Sequence, residues 1–163
     1  MIEKIIEIMK AHKDYAKKPS KACRKWDGKT EYSIHPIWCA MTIAAETSLD
    51  ELTRTEGITA LLYHDVLEDT NYKPNLEERI DYLVKEMTFE GGSKQEMQEI
   101  WNKPKEVRLY KIYDKVSNLM DGSWMSEEKR KDYENYLNKL IIDVEQNYGE
   151  LNITKMAKSI ITE

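Results

Sequence analysis

Leu61-Leu62-Tyr63-His64-Asp65-Val66-Leu67-Glu68-Asp69-Thr70 opens as the apolar end of a buried helix and closes as a polar cluster, with one histidine and three carboxylates between positions 64 and 69. On a helix, His64 and Glu68 stand four residues apart and share a face, as do Asp65 and Asp69. A histidine beside an aspartate suits a divalent metal ion, and two further acids alongside suit proton handling. The alternative is an ordinary helix end with solvated acids. Three acids at the negative end of a helix are electrostatically unfavourable, and a nearby cation would remove that cost.

Around this stretch the chain reads as helix after helix. Ile2, Ile5, Ile6, Met9 and Tyr15 recur at helical spacing over residues 2–17, and Pro19-Ser20 closes that helix. The tract Lys21-Ala22-Cys23-Arg24-Lys25-Trp26-Asp27-Gly28-Lys29 is basic and irregular, with a turn at Asp27-Gly28; its composition is that of a solvated loop. His35 precedes Pro36, which places it at a helix N-cap. The segment from Ile37 to Glu46 then reads as buried. Ser48 and Glu51 form a capping-box pattern that opens a helix from about Asp50 into His64. If the two helices joined by this short link run antiparallel, His35 and His64 meet at one end of the pair.

Further along, Asn75 and Glu78 open a helix that runs to about Lys85. Gly91-Gly92-Ser93 is a flexible connection, and Gln95 to Trp101 is a short helix or an ordered loop. Pro104 opens the helix Lys105–Met120, whose Val107, Leu109, Ile112, Val116 and Leu119 form a core stripe. Asp114 falls inside that apolar helix with Asn118 four residues on. A buried aspartate needs either a metal or a salt bridge, for which Lys111 and Lys115 are at hand. Glu127 and Glu128 suit the positive end of a long helix to about Tyr148, ended by Gly149, and the last helix spans Ile153 to Ile161. No strand pattern, internal repeat or phosphate-binding glycine loop occurs. The expected fold is all-α, one helical bundle of about six to eight helices in a single domain, 1–163.

Composition sets the outer bounds. The chain has 163 residues, 34% of them charged, and a net charge of −5, which disfavours a non-specific nucleic-acid binder. No apolar run is long enough for a membrane span, and the N-terminus reads as an amphipathic helix and not a signal peptide. Cys23 and Cys39 have neither metal-ligand spacing nor a disulfide framework, which favours a reducing, cytoplasmic setting. The oligomeric state is left open, a homodimer included.

The order His35, His64-Asp65, Asp114 resembles the HD superfamily of metal-dependent phosphohydrolases. The stretches EYSIHPIWCAMTI, LLYHDVLEDT and YKIYDKVSNLMD together resemble the hydrolase domain of the RelA/SpoT alarmone family, in the single-domain form of the small alarmone hydrolases, over roughly residues 1–148. This resemblance implies that His35, His64, Asp65 and Asp114 ligate a metal, usually Mn2+. It makes Glu68 and Asp69 the acids that position and activate water. Arg24 and Asn118 become substrate contacts, with Lys25 beside Arg24 offsetting substrate charge. The implied reaction is release of pyrophosphate from the 3′ position of guanosine 3′,5′-bis(diphosphate)-type alarmones, small nucleotides being the partners. Removal of phosphate from another nucleotide, such as the 2′ phosphate of NADPH, and a non-catalytic nucleotide-binding module are the other readings. The chain departs from the family at Lys21-Ala22-Cys23, where His-x-Gly-Gln is usual, and at Tyr113, where a small residue is usual. Both departures bear on base recognition more than on chemistry.

Overall fold

Helix α7, Lys105–Met120, runs through the middle of the bundle and is buried on nearly every side from Val107 to Leu119. The computed structural model describes residues 1–162. Ahead of α7 come α1 (Ile2–Asp14), α2 (Ile34–Ala44), α3 (Glu51–Tyr63), the single turn α4 (Val66–Asp69), α5 (Glu78–Met87) and α6 (Gly92–Glu99). Helices α8 (Glu127–Tyr148) and α9 (Asn152–Thr162) follow it. Three short 3-10 turns, Pro19–Lys21, Ile100–Asn102 and Gly122–Trp124, join them. Among the described residues there are thus eight helices longer than one turn, and β pairing is limited to two isolated bridges, Ala16 with Thr70 and Cys23 with Glu31. The all-α expectation holds. Among the described residues, no helix is long and apolar enough to cross a membrane.

The apolar stripes read from the sequence meet around α7. Leu83, Val84 and Met87 of α5 pack on one side, and Leu137, Leu140 and Val144 of α8 on another; Ile43 of α2 and Leu61 of α3 complete the core. Helices α2 and α3 form an antiparallel pair that packs on α7. Their close approach depends on Gly57, where a methyl group would stand 2.5 Å from Ile43 Cδ1 and 2.6 Å from Tyr110 Cε1. Burial of α7 has a chemical consequence: Lys111, Asp114 and Lys115, each almost wholly buried, must neutralise one another or a ligand.

Several boundaries differ from the sequence reading. Helix α1 stops at Asp14 because the backbone at 15–17 pairs with 69–71 instead, through Lys17 N to Asp69 O (2.8 Å) and Asn71 N to Tyr15 O (2.8 Å). His35 is not an N-cap but the second residue of α2, whose N-cap is Ser33. Pro36 fits at the third position because the first four amides of a helix have no intrahelical acceptor. The capping-box pattern at Ser48 and Glu51 does not form. Asp50 caps α3 by accepting from Thr53 N at 2.9 Å, while Ser48 Oγ donates to Glu46. Lastly, α3 ends at Tyr63, and a turn at His64-Asp65 separates it from α4.

Candidate active site

The turn at 64–65 decides the geometry of the site. On an uninterrupted helix two consecutive side chains diverge by about 100°. Here Asp65 relaxes to φ −94°, ψ −6°, and both side chains face the same point. His35 reaches that point from the first turn of α2, and Asp114 from the middle of α7. His35 Nε2 lies 3.2 Å from His64 Nε2, 3.4 Å from Asp65 Oδ2 and 3.4 Å from Asp114 Oδ1. His64 Nε2 lies 3.2 Å from Asp65 Oδ2 and 3.8 Å from Asp114 Oδ1. All four residues are buried.

Three of the four, His35, His64 and Asp114, each offer one ligand atom within 4.8 Å of the others, a set that could hold a divalent ion, with Asp65 beside both imidazoles. Donors about 2.1 Å from a central ion sit about 3.0 Å apart on an octahedron and about 3.4 Å apart on a tetrahedron, close to the spacings found. The far side of each ring is engaged: His64 Nδ1 lies 2.7 Å from the Leu61 carbonyl and His35 Nδ1 lies 2.8 Å from Ser117 Oγ. A carbonyl only accepts, so His64 carries its hydrogen on Nδ1 and turns its Nε2 lone pair inward when neutral. Without a cation, that pocket of inward-facing acceptors takes up a proton. Burial opposes the charge on His64, but Asp65 and the hydrogen bonds of Asp114 and Asp65 outweigh it, and its pKa is pushed up to about 10. Asp65 and Asp114 go the other way. Burial would raise both, yet the His64 charge and both imidazoles hold Asp65, and Lys115 and Lys111 hold Asp114, well below the usual carboxylate range.

Neighbours fix the two carboxylates. Tyr32 OH donates to Asp65 Oδ2 at 2.6 Å. On α7, Lys111 Nζ and Lys115 Nζ approach Asp114 Oδ2 at 3.1 and 3.2 Å, leaving Oδ1 toward the imidazoles. Glu96 of α6 balances the two lysines, at 3.1 Å from Lys111 Nζ and 2.9 Å from Lys115 Nζ. For Asp114 the sequence offered salt bridge or ligand; the structure shows the salt bridge on one oxygen and the histidines beside the other.

Glu68 and Asp69 sit one turn further on, and their environment is opposite. Burial first, then the charges of Asp65, Asp69 and Asp114 against that of Lys111, push Glu68 up to about 7. Its carboxylate makes no hydrogen bond among the described residues. Asp69 is raised by burial and Asp65, with Lys21 opposing at 2.6 Å.

Asp65, Asp114, Glu68 and Asp69 line a solvent-open cleft of about 220 Å³. Its lining also includes Lys25 and Lys129, whose ammonium groups lie 4.1 and 4.6 Å from the centre of the Trp124 ring. Neither lysine forms an ion pair among the described residues. Burial, and then the charges of Lys25, Lys115 and Lys21, lower the Lys129 pKa. Arg24 is also in the lining, but its Nε is engaged with Asp121 Oδ2 at 2.5 Å. Asn118 lies at the cleft and donates to Asp114 Oδ1 at 2.5 Å. The irregular basic tract is therefore folded and not a free loop: Asp27 accepts from Lys29 N, Thr30 N and Thr30 Oγ1, and the tract carries Lys21, Arg24 and Lys25 to the cleft.

Sequence reasoning missed Tyr32, Ser117, Lys129, Trp124 and Glu96. Ser117 had a signal, since it follows Asp114 by one helical turn. Glu96 and Trp124 had none, because only the chain path brings α6 and the Gly122–Trp124 turn to the cleft.

No protein-family model matches the sequence, and no curated protein sequence does. Among solved structures, the chain is similar to a protein described as a metazoan ortholog of SpoT that hydrolyzes ppGpp and plays a role in starvation responses. The TM-score is 0.72 at 21% identity, covering 98% of this chain and 94% of that one. The two share a fold. That fold is the one implied by the HD resemblance, over nearly the whole length.

Proposed function

We propose that this protein is a metal-dependent phosphohydrolase that releases pyrophosphate from the 3′ position of guanosine 3′,5′-bis(diphosphate)-type alarmones. One observation carries the reading: His35, His64, Asp65 and Asp114 converge beside an acid poised near neutrality, and Asp65, Asp114 and that acid line a cleft rich in lysine. The shared fold with a SpoT ortholog described as hydrolyzing ppGpp supports the substrate class.

In this reading His35, His64, Asp65 and Asp114 hold the ion, Mn2+ being the expected one. When bound, it supplies Lewis acidity, acidifying water and polarising a phosphoryl oxygen. Glu68, with a pKa of about 7, is matched to taking a proton from the attacking water. Asp69, tethered by Lys21, orients that water. The water oxygen bonds to the phosphorus attached to O3′, and the bond from that phosphorus to O3′ breaks. The nucleoside 3′ oxygen takes up a proton, and pyrophosphate leaves. Lys25 and Lys129, unpaired across Trp124, hold the second phosphate group of a substrate phosphorylated at both ends. Arg24 adds charge from the side of Asp121, and Asn118 contacts the ribose end. The same residues fit a protein working in the cytoplasm on a soluble nucleotide.

The test is a product assay on purified protein with Mn2+, using guanosine 3′,5′-bis(diphosphate), GTP and NADPH. Pyrophosphate released from the first alone, and abolished by chelator, is expected. Phosphate from NADPH with no pyrophosphate from the alarmone would move the substrate, and bound nucleotide without turnover would reduce the chain to a binding module.

A further inference from the structure

We infer that Ser117 is a positioning residue for His35, the acceptor that holds the ring in the tautomer able to bind a metal ion; the inference rests on the metal-centre reading above. The two histidines of the cluster are held differently. His64 Nδ1 faces the Leu61 carbonyl, which accepts and never donates, so its tautomer is fixed by the backbone. His35 has no backbone partner for its ring. Its Nδ1 meets the Ser117 hydroxyl at 2.8 Å, and a hydroxyl can either donate or accept.

The surroundings decide which. His35 Nε2 stands 3.2 Å from His64 Nε2 and 3.4 Å from each of Asp65 Oδ2 and Asp114 Oδ1. For His35 to offer a lone pair at this point, its hydrogen must sit on Nδ1, and that hydrogen needs an acceptor. Ser117 Oγ is that acceptor. Ser117 is only 8% exposed.

Removing the hydroxyl strands a buried Nδ1–H. The ring escapes that cost by moving its hydrogen to Nε2, where it points at the donor cluster in place of a lone pair. Ser117→Ala should therefore weaken Mn2+ binding by about 10- to 100-fold, the range for outer partners of metal-bound histidines. Ser117→Thr, which keeps the hydroxyl, should restore it. Alanine suits a helix interior, so the melting temperature of the metal-free protein should hardly move.

The experiment titrates Mn2+ by EPR against wild type, Ser117→Ala and Ser117→Thr, and reads the His35 tautomer from ring 15N shifts of the metal-free proteins at a pH where the same shifts show both imidazoles neutral. Weaker binding with a switch from Nδ1–H to Nε2–H, reversed in Ser117→Thr, is the expected result. Binding within twofold of wild type, or weakened binding with an unchanged tautomer, overturns the inference while leaving the metal centre standing. A wild type that binds no Mn2+ overturns the metal reading itself. If Ser117→Ala does not fold, Ser117→Cys, a poor acceptor of similar size, carries the same expectations.

Discussion

Asp65 and Asp114 on one side and Glu68 and Asp69 on the other are four carboxylates in one cleft with opposite electrostatics. The inner pair face two imidazoles and are held ionised, with Tyr32, Lys111 and Lys115 braced against them. The outer pair make no contact with an imidazole among the described residues. They feel burial and the negative charge of the inner pair, and both rise. Four residues separate Asp65 from Asp69, so local sequence does not explain the difference. The position of positive charge does, and in the proposed function the acids beside the imidazoles hold the cation while the acids beyond them move a proton.

The largest expected effects break the inner set. Asp114→Asn or His64→Ala should abolish stoichiometric Mn2+ binding and take pyrophosphate release to background, read by EPR titration and product assay on the same preparation. Next comes Glu68→Gln, which should lower turnover by about 10²- to 10⁴-fold while Mn2+ still binds. If Glu68→Gln lost the metal, or Asp114→Asn kept it, the division between inner and outer acids would fail.

That division was only half legible in the sequence. Helical spacing and the short link between α2 and α3 brought His35 and His64 to the same end of the pair, and the structure places their Nε2 atoms 3.2 Å apart. The α7 helix was read with its bounds, and Asp114 was singled out because an acid interrupts an apolar stripe. The turn at His64-Asp65 was not legible, since residues 61–69 contain no glycine or proline and read as continuous helix. The environment of Arg24 was not legible either. Its partner Asp121 lies 97 residues away, and only the folded tract at 19–32 brings them together. Composition likewise suggested a solvated loop for that tract, because the bonds that fold it are made by backbone and Asp27 and leave no hydrophobic pattern.

The raised pKa of Glu68 has two consequences of definite sign. With the ion bound, turnover should climb about tenfold per pH unit until Glu68 loses its proton and level off above that point, and this limb should vanish in Glu68→Gln. Stability moves the opposite way. An ordinary glutamate titrates at 4.5, and Glu68 in the fold near 7. Between those values the unfolded chain releases a proton that the native protein retains, so stability falls as pH rises through that window and is flat above it. Glu68→Gln escapes this loss. Denaturant melts of metal-free protein should show the variant gaining on wild type from pH 4.5 to 7 and holding a constant margin above. A constant margin across the whole range would mean that Glu68 is not raised and that the outer acids do not differ from the inner ones.

The smallest expected effect lies at the lysines of the lining, where charge is left unpaired and not braced. Lys25 and Lys129 share the Trp124 ring and have no carboxylate partner among the described residues, so removing one strands no buried group. Their contribution is attraction for an anion across a wet cleft, which salt screens. Lys25→Ala and Lys129→Ala should each raise KM by about threefold to tenfold and leave kcat within about twofold, the signature of binding shared by ground and transition states. Wild type and variant should converge as ionic strength rises. Loss of kcat with unchanged KM would place these lysines with the inner, reacting part of the cleft, and the contrast between braced acids and screened lysines would not survive it.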